Sequence, residues 1–340
     1  MSKKNSNVIL KEVFEKQDDF LNIYSSFNKT LNSFKKKTFL IAVSGGPDSL
    51  ALAALAKVYS NENKCKIYYA LVDHNIRKNS STEAKSVKKL LKKFQLNLNI
   101  LTNKKKINNN IQSNSREIRY NLLINFCKKK KISHILTAHN MEDQVETFFI
   151  RLSRGSGLDG LSSMKSINKI DRNIFLLRPL LNFKKNNLLK ISKHIFRKYF
   201  KDPSNKNMKY LRTRVRNLQK PLESSGINYN QIFKSINNLA SSRDTLNFYF
   251  DKMYKDTSII KKKKISINIK DFDKFNKEIK MRFLNKSIKS LTNSYYSPRS
   301  KKIFNLIDQL LVKKSLKLSL GRCNIFKEKN YIIIQKEKKN

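Results

Sequence analysis

The segment SGGPDS, at residues 44–49, combines residue types that suit the binding of a phosphate group. Gly45 and Gly46 allow positive φ angles and a close approach of a ligand to the backbone. Pro47 favours the first turn of a helix, whose N–H groups and positive dipole end attract anions. Asp48 would add negative charge beside a phosphate, which makes chemical sense if its carboxylate holds Mg²⁺ against phosphate oxygens. The candidate nucleotide-binding residues of this segment are Ser44, Gly45, Gly46, Pro47, Asp48 and Ser49.

Two acidic residues on one predicted helix face form a second candidate for chemistry. Asp143 and Glu146 are three residues apart near the start of a helix predicted for residues 140–153, so their side chains share a face. A carboxylate there would hold an ammonium group or help to deprotonate it, and only the neutral amine is a nucleophile. The same pair would also stabilise the N-terminal end of a helix through its dipole. The residues alone leave both interpretations open.

Arginines supply the complementary charge. Arg116 and Arg119 are three apart on a helix predicted at 112–130, and they would either grip phosphate groups or form a solvated basic face. Arg154 precedes the glycines of an RGSG segment. It would close over a site as part of a mobile loop, or lie in a plain surface loop.

Three further arginines follow a turn that the sequence DPSN predicts at residues 202–205. Arg212, Arg214 and Arg216 occupy every second position. An extended segment would present all three together to phosphates, whereas a helix would give a basic face.

The elements that must position these residues alternate between strands and helices. Apolar runs predict strands at 38–43, 66–72, 97–102 and 133–138. Helical periodicity predicts helices at 48–60, 81–94, 112–130 and 140–153. The alternation predicts an α/β fold with a mostly parallel sheet covered on both faces.

Polar residues follow three of the predicted strands, where a parallel sheet places its ligands. Besides residues 44–49, Asp73 and His74 follow the second strand and His139 follows the fourth. We expect these side chains to border a bound nucleotide, and each also fits a structural role at a strand end.

The pattern changes after residue 153. A helix is predicted at 183–200, and Pro221 and Gly226 mark a boundary. Beyond it, the sequence predicts helical stretches at 230–255 and 271–313, a basic β-forming segment at 258–270, and a C-terminal β element. We therefore expect an α/β domain at 1–220, a helical domain at 221–313 and a small β element at 314–340.

The net charge, the apolar runs and the cysteines of the sequence limit the classes of function that it can have. The chain has 73 Lys and Arg against 25 Asp and Glu, a net charge of +48, which favours a polyanionic partner such as nucleic acid. The chain is also rich in Lys, Asn and Ile, a bias typical of AT-rich genomes. Such a genome is an alternative explanation for the excess of lysine and hence for the positive charge. The sequence contains no run of eighteen apolar residues, so we expect no membrane span. It also lacks an apolar secretory signal, so we expect no secretion. Three widely spaced cysteines match no metal site and favour the cytoplasm.

The motifs together resemble a known family. The strand followed by SGGxDS resembles the pyrophosphatase loop (PP-loop) of the ATP-pyrophosphatase superfamily. Further segments are similar to the tRNA(Ile)-lysidine synthetases, in order and rough spacing over residues 38–218: VDHNIR at 72, REIRY at 116, AHxxxDQxET at 138, RGSG at 154, RPL at 178, DPSN at 202 and RxRxR at 212. Asn140 and Glu142 depart from the residues that many members carry, a second His and an Asp.

The resemblance implies a Rossmann-like α/β fold and a specific reaction. The C2 oxygen of the wobble cytidine of tRNA(Ile) with anticodon CAU attacks the α-phosphorus of ATP, and free L-lysine then displaces AMP to give lysidine. The implied co-substrate is ATP, with Mg²⁺. The implied catalytic residues are Asp48, Arg116, Asp143, Glu146 and Arg154. The implied tRNA-binding residues are Arg119, Arg178, Arg212 and Arg214. The resemblance also implies that residues 1–220 are the catalytic domain and that residues 221–313 are a tRNA-binding domain.

Three other functions remain open at this level. A related PP-loop enzyme that inserts sulfur into tRNA would carry paired cysteines or an iron–sulfur cluster, and the three cysteines here are unpaired in sequence. An ammonia-dependent amidating enzyme would leave the basic C-terminal half unexplained. A non-catalytic basic RNA-binding protein would not need the intact 44–49 segment. A homodimer and the basis of discrimination against tRNA(Met) are left open.

Overall fold

The structure is a computed structural model, and it describes residues 14, 17–35, 38–63, 65–77, 79–104, 111–200, 207–292, 294, 298–313 and 316–337. The turn predicted at 202–205 lies outside the described residues. The chain forms two compact units, which divide between Ala240 and Ser241. In the described part of the chain, no helix has both the length and the apolarity needed to cross a membrane.

The first unit contains a six-stranded sheet, which confirms the predicted mostly parallel architecture. Its strands are β1 (Thr38–Ala42), β2 (Lys66–Asp73), β3 (Leu98–Thr102), β4 (His134–Leu136), β5 (Ile167–Asp171) and β6 (Ile174–Leu177). The strand order is β3-β2-β1-β4-β6-β5, and only β5 pairs antiparallel. The β5–β6 hairpin was not predicted, because β5 alternates polar and half-buried residues at the sheet edge and lacks an apolar run.

Nine described helices accompany this sheet. They are α1 (Asp18–Asn32), α2 (Pro47–Glu62), α3 (Ser80–Lys92), α4 (Ile111–Lys130), α5 (Met141–Leu152), α6 (Leu158–Leu161), α7 (Lys185–Phe196), α8 (Leu211–Asn217) and α9 (Gln219–Ser224). Side chains alternate across β1, so Phe39 and Ile41 join the core with α1, α2 and α7, while Leu40 joins the core with α4. The sheet is therefore packed on both faces.

The chain order reverses at β1, which pairs with β2 on one side and β4 on the other. Open α/β sheets bind ligands outside the carboxyl ends of the strands at such a switch point, because the two loops leave in opposite directions and open a crevice. The loop after β1 holds residues 44–46, and the loop after β4 holds residues 137–140. The topology therefore places the predicted phosphate loop and the predicted acidic helix at one crevice.

The second unit has its own antiparallel sheet. Helix α10 (Tyr229–Thr257) leads into β7 (Ser258–Lys261) and β8 (Lys264–Asn268). The remaining elements are α11 (Ile269–Lys274), α12 (Lys277–Thr292), α13 (Ser300–Val312), β9 (Lys317–Leu320), β10 (Cys323–Glu328) and β11 (Tyr331–Lys336). The sheet order is β7-β8-β11-β10-β9. The predicted helical stretch at 271–313 is thus three helices.

This arrangement differs from the predicted division at residues 220 and 313. The boundary falls within α10, and β11 pairs with β8, so the C-terminal strands and the helical segment share one sheet. They also share one core, which includes Phe272, Phe283 and Ile334. The physical reason is that a few isolated strands cannot bury an apolar face without partners.

Gly45 provides a test of the loop after β1. Its φ is +84°, and a Cβ atom there would lie 2.6 Å from the Val87 Cγ2 atom. We expect Gly45→Ala to lower the free energy of unfolding of the first unit by about 2–4 kcal/mol, through the left-handed backbone and the clash. Denaturant unfolding followed by circular dichroism measures this.

Gly46 is the matched control, since its φ is −72° and its nearest contact would be the Ser44 Oγ atom at 3.6 Å. We expect Gly46→Ala to change the stability by less than about 1 kcal/mol. Equal losses for the two variants would contradict the loop geometry.

Candidate active site

The loop after β1 is held in shape by its own hydroxyl groups. The Ser44 N–H donates to the Ser49 Oγ atom at 3.1 Å, and the Ser49 hydroxyl donates to the Gly46 carbonyl at 2.9 Å. The Phe200 N–H donates to the Gly45 carbonyl at 3.0 Å, which anchors the loop from outside. No side chain caps the N-terminus of α2, and Pro47 occupies its first turn. The loop therefore directs the uncapped end of a helix at the crevice, an arrangement suited to phosphate.

Asp48 lies in the first turn of α2 with one carboxylate oxygen, Oδ1, buried and without a hydrogen-bond partner. Burial raises the pKa of its carboxyl from 3.8 to about 7, against the opposing charge of Lys185. The carboxylates of Asp143 and Glu142 act in the same direction as burial. A buried carboxylate oxygen without a partner suits a hard cation.

Mg²⁺ fits this carboxylate only together with a substrate. Among the described residues, no group of three or more His, Cys, Asp or Glu side chains is arranged to hold a metal ion. Mg²⁺ is commonly bound by one or two carboxylates plus substrate phosphates and waters. Asp48 is therefore a fitting protein ligand for a cation that arrives with a nucleotide.

The N-terminus of α5 carries the acidic face. Asn140 caps the helix: its Oδ1 atom accepts from the Asp143 N–H at 3.0 Å, and its own N–H donates to the Asp143 Oδ2 atom at 3.2 Å. Asn140, which departs from the family pattern, therefore serves as the N-cap of α5. The cap also fixes the Asp143 side chain, whose second oxygen faces away from the cap towards α8.

Two arginines of α8 bind the acidic pair. Arg212 donates from Nε to the Glu146 Oε2 atom at 2.6 Å and from Nη2 to the Asp143 Oδ1 atom at 2.7 Å. Arg216 donates from Nε to the Glu146 Oε1 atom at 2.5 Å. Glu146 is only 2% exposed, so both of its oxygens are neutralised inside the protein. The shared face predicted for Asp143 and Glu146 is confirmed by this pairing.

Of the two alternatives for the three spaced arginines, the structure shows the helix, because they lie in α8. In a helix, Arg212 and Arg216 are one turn apart and reach the same carboxylate. Arg214 faces solvent instead. Arg212, predicted to bind tRNA, is committed to the acidic pair in this structure.

His139, in the loop after β4, is within electrostatic reach of several arginines. Its Nδ1 atom is 2.9 Å from the Thr137 hydroxyl. Burial lowers its pKa well below the ordinary 6.5, and the charges of Arg178, Arg212 and Arg116 act in the same direction. The imidazole is therefore neutral at pH 7. Cations that converge on a neutral histidine create a pocket of positive potential that attracts anions.

Arg178 does not lie on a tRNA-facing surface. It is 2% exposed, and its guanidinium donates to the Lys165 carbonyl at 2.7 Å. The predicted tRNA contact is therefore not supported, because burial leaves this side chain acting on the site only through its charge. Arg119 is exposed on α4, and the Arg116 guanidinium lies 5.2 Å from the Tyr120 ring centroid.

Asp73 serves the strand end. Its carboxylate accepts from the Asn75 N–H at 2.9 Å and from the Ser81 hydroxyl at 2.6 Å. Burial raises its pKa, but these hydrogen bonds outweigh burial and hold the pKa below its ordinary value. Both oxygens are occupied, so the turn-forming alternative describes Asp73, and a nucleotide contact through it is not supported. The His74 carbonyl accepts from the Asn103 side chain, which ties the next strand to the same turn.

Arg154 is exposed in the loop after α5, apart from the ion-pair network of the acidic pair. The segment that follows Arg154 is fixed by hydrogen bonds from the Arg151 side chain. Arg151 donates from Nη1 to the Gly160 and Ser163 carbonyls at 2.7 and 2.9 Å. A closing movement of Arg154 would therefore be confined to the few residues before Gly160.

Two residues of the crevice were not predicted. Glu142 is half-buried, and its Oε2 atom accepts from the Lys185 N–H at 2.8 Å. Burial raises the Glu142 pKa, and the hydrogen bond from the Lys185 backbone opposes that shift. Glu142 adjoins the acidic motif and could have been included. No motif in the sequence indicated Lys185 as a site residue, because the packing of α7 is what brings it to the crevice.

The chain is similar to known proteins over most of its length. A model of the PP-loop domain matches residues 20–222. The chain is 34% identical over 321 residues to a tRNA(Ile)-lysidine synthase of Wolbachia pipientis wMel, covering 92% of this chain and 74% of that protein. It is 29% identical over 330 residues to the corresponding Rickettsia typhi protein, covering 92% and 72%.

A further relative is more similar over a shorter stretch. The chain is 39% identical over 183 residues to a tRNA(Ile)-lysidine synthase of Orientia tsutsugamushi, covering 54% of this chain and 41% of that protein. Among solved structures, the U34-tRNA thiolase NcsA from Methanococcus maripaludis superposes with a TM-score of 0.55 at 19% identity, over 65% of this chain and 78% of that one. The last comparison supports the fold alone.

The ion-pair network makes a testable contribution to stability. Removing Glu146 would leave Arg212 and Arg216 without their buried partner, and breaking a buried pair typically costs about 3–5 kcal/mol. We expect Glu146→Ala to destabilise the first unit by this order. The control is Glu223→Ala, because Glu223 is exposed on α9 and its loss should cost less than about 1 kcal/mol. Similar unfolding midpoints for both variants would contradict the network.

Proposed function

The chain belongs to the tRNA(Ile)-lysidine synthase family of PP-loop proteins, and we propose that it attaches lysine to C2 of the wobble cytidine of a tRNA(Ile) with anticodon CAU. The family membership confirms the resemblance found in the motifs, and it makes the protein an ATP-using ligase. The observation that carries the proposal is the juxtaposition of the SGGPDS loop and the acidic α5 face at one switch point. Asp143 and Glu142 both act electrostatically on Asp48, which supports a single site.

In the first proposed step, the cytidine C2 oxygen attacks the α-phosphorus of ATP and pyrophosphate leaves. Phosphoryl transfer needs positioning and charge neutralisation more than covalent chemistry. The loop amides and the uncapped end of α2 suit the departing phosphates. Asp48 would hold Mg²⁺, which when bound supplies neutralising charge to phosphate oxygens. Arg116 and Arg154 are the proposed clamps of the nucleotide and the tRNA.

In the second proposed step, the lysine ε-amine attacks C2 and AMP leaves. Asp143 is the better candidate to receive the lysine ammonium, because its side chain is 14% exposed and that of Glu146 is 3% exposed. Glu146 would anchor Arg212 and Arg216, which keep Asp143 oriented. Lysine binding at Asp143 would then share or replace its contact with Arg212.

The tRNA partner is supported by charge. Arg119 and Arg214 are exposed basic residues of the first unit, and the whole chain carries +48. Phosphate contacts of this kind position the RNA without reading its sequence. A homodimer and a cytoplasmic location stay predictions.

Sulfur insertion is less well supported by the cysteines. Cys127 is fully buried and burial raises its thiol pKa to about 12, so it is not a reactive thiolate. Cys65 is half-buried before β2, and Cys323 is buried in the second unit. None of the three belongs to the crevice described above.

A direct test of the proposal uses purified protein, ATP, Mg²⁺, L-lysine and an unmodified CAU-anticodon tRNA(Ile) transcript. Mass spectrometry of the digested tRNA should detect lysidine at the wobble position, and omission of lysine should leave an adenylated tRNA. A transcript with uridine at that position is the control and should remain unmodified. Absence of lysidine from an otherwise active preparation would contradict the proposal.

Asp48→Asn tests the proposed metal ligand. Because the amide cannot neutralise or hold Mg²⁺ as a carboxylate does, we expect tRNA adenylation to fall at least about 100-fold, within the range seen when one electrostatic stabiliser is lost. Filter binding should show tRNA affinity within about twofold of the unaltered protein. Full adenylation by the variant would remove Asp48 from the mechanism.

Arg214→Ala tests the exposed basic face of α8. Losing one phosphate contact should weaken tRNA binding and reduce the slope of log affinity against log salt by about 1. The matched control is Arg172→Ala, an exposed arginine in the β5–β6 turn. An unchanged slope for Arg214→Ala would assign this arginine to a solvated surface.

A further inference from the structure

Helix α7 is tied to α5 at its start and to the phosphate loop just after its end. At its start, the Lys185 N–H donates to Glu142 at the N-terminus of α5. Just after its end, the Phe200 N–H donates to the Gly45 carbonyl, and the Phe200 ring lines the space above Gly45. Between these points, the buried face of α7 packs in the same core as α2. The first residue of α7 is therefore fixed beside the crevice.

Among the described residues, Lys185 offers the crevice a basic side chain that is not bound to the acidic pair. Arg212 and Arg216 are bound to Asp143 and Glu146. Among the described residues, the Lys185 ammonium makes no ion pair within 4 Å, although the side chain is half-buried. Its charge acts on both Asp48 and Glu142. A lysine held near two carboxylates without pairing to either remains available to a ligand.

The negative charge of a bound nucleoside triphosphate calls for a positively charged side chain beside the loop. A triphosphate in the 44–49 loop would bring several negative charges next to Asp48 and Glu142. The loop contains no lysine or arginine of its own. The positive end of α2 and one divalent cation would leave the leaving group only partly neutralised. Lysine binds phosphate as a compact point charge and reaches it on a flexible chain.

We propose that Lys185 binds the β- and γ-phosphates of ATP and stabilises the departing pyrophosphate. This rests on the proposed function. In that step, the cytidine C2 oxygen forms a bond to the α-phosphorus. The bond from the α-phosphorus to the bridging oxygen breaks, and its electron pair stays on the pyrophosphate. Lys185 remains protonated throughout, so the step needs no additional proton or co-reactant.

The test compares Lys185→Met and Lys185→Arg with Lys184→Met. Lys184 is the exposed residue immediately before α7, which makes it a matched control for the loss of one charge. Calorimetry with Mg²⁺ and inorganic pyrophosphate, without tRNA or lysine, measures the proposed contact directly. We expect Lys185→Met to weaken pyrophosphate binding at least tenfold, Lys185→Arg to retain most of the affinity, and Lys184→Met to change it less than twofold.

The two chemical steps provide the second readout. Lys185→Met should lower kcat/KM for ATP in tRNA adenylation about 100-fold, yet consume tRNA pre-adenylated by the unaltered enzyme at a rate within twofold. A purely structural role would slow both steps together, and this outcome, or unchanged pyrophosphate binding, would overturn the proposal. If Lys185→Met does not fold, Lys185→Gln takes its place. Pyrophosphate binding that depends on Lys185 in a protein that makes no lysidine would sink the proposed function and leave the Lys185 contact standing.

Discussion

The structure of the crevice depends on the neutralisation of carboxylates that are withdrawn from solvent on two helices, α2 and α5. Glu146 lies inside the first unit, and Asp48 is half-buried with its Oδ1 atom inaccessible to water. Burying such groups is costly unless cations or hydrogen bonds compensate. Arg212 and Arg216 compensate Glu146, while the backbone of Lys185 compensates Glu142. Segments from late in the first unit must therefore fold onto α5 before the acidic face is stable.

This constraint also explains how binding and chemistry share one place. The uncapped end of α2 offers N–H groups, and the arginines around His139 add positive potential without being bound to that histidine. Asp48 and Asp143 are the carboxylates that we propose for the cation and the lysine ammonium. Asp143 and Glu146 are paired with arginines, whereas the buried Oδ1 atom of Asp48 has no hydrogen-bond partner, so a nucleotide with its metal ion would complete the charge balance at the loop.

Local features of this account could be predicted from the sequence, and non-local ones could not. The loop, the four parallel strands and the shared face of Asp143 and Glu146 follow from patterns within about fifteen residues. Arg212 and Arg216 find Glu146 66 and 70 positions earlier in the chain, so nothing near them distinguished a helix from an extended segment. The burial of Arg178 and the position of Lys185 are likewise consequences of packing. The shared sheet of the second unit was missed because β8 and β11 pair across more than fifty residues of intervening chain.

The central claim is that the 44–49 loop holds the phosphates that leave as pyrophosphate. A crystal structure of the protein with Mg²⁺ and a non-hydrolysable ATP analogue tests it most directly. The account predicts the β- and γ-phosphates on the loop amides, the metal ion on Asp48 and the Lys185 ammonium within hydrogen-bond distance of the terminal phosphates. A triphosphate bound elsewhere, with the loop and Asp48 unoccupied, would contradict it.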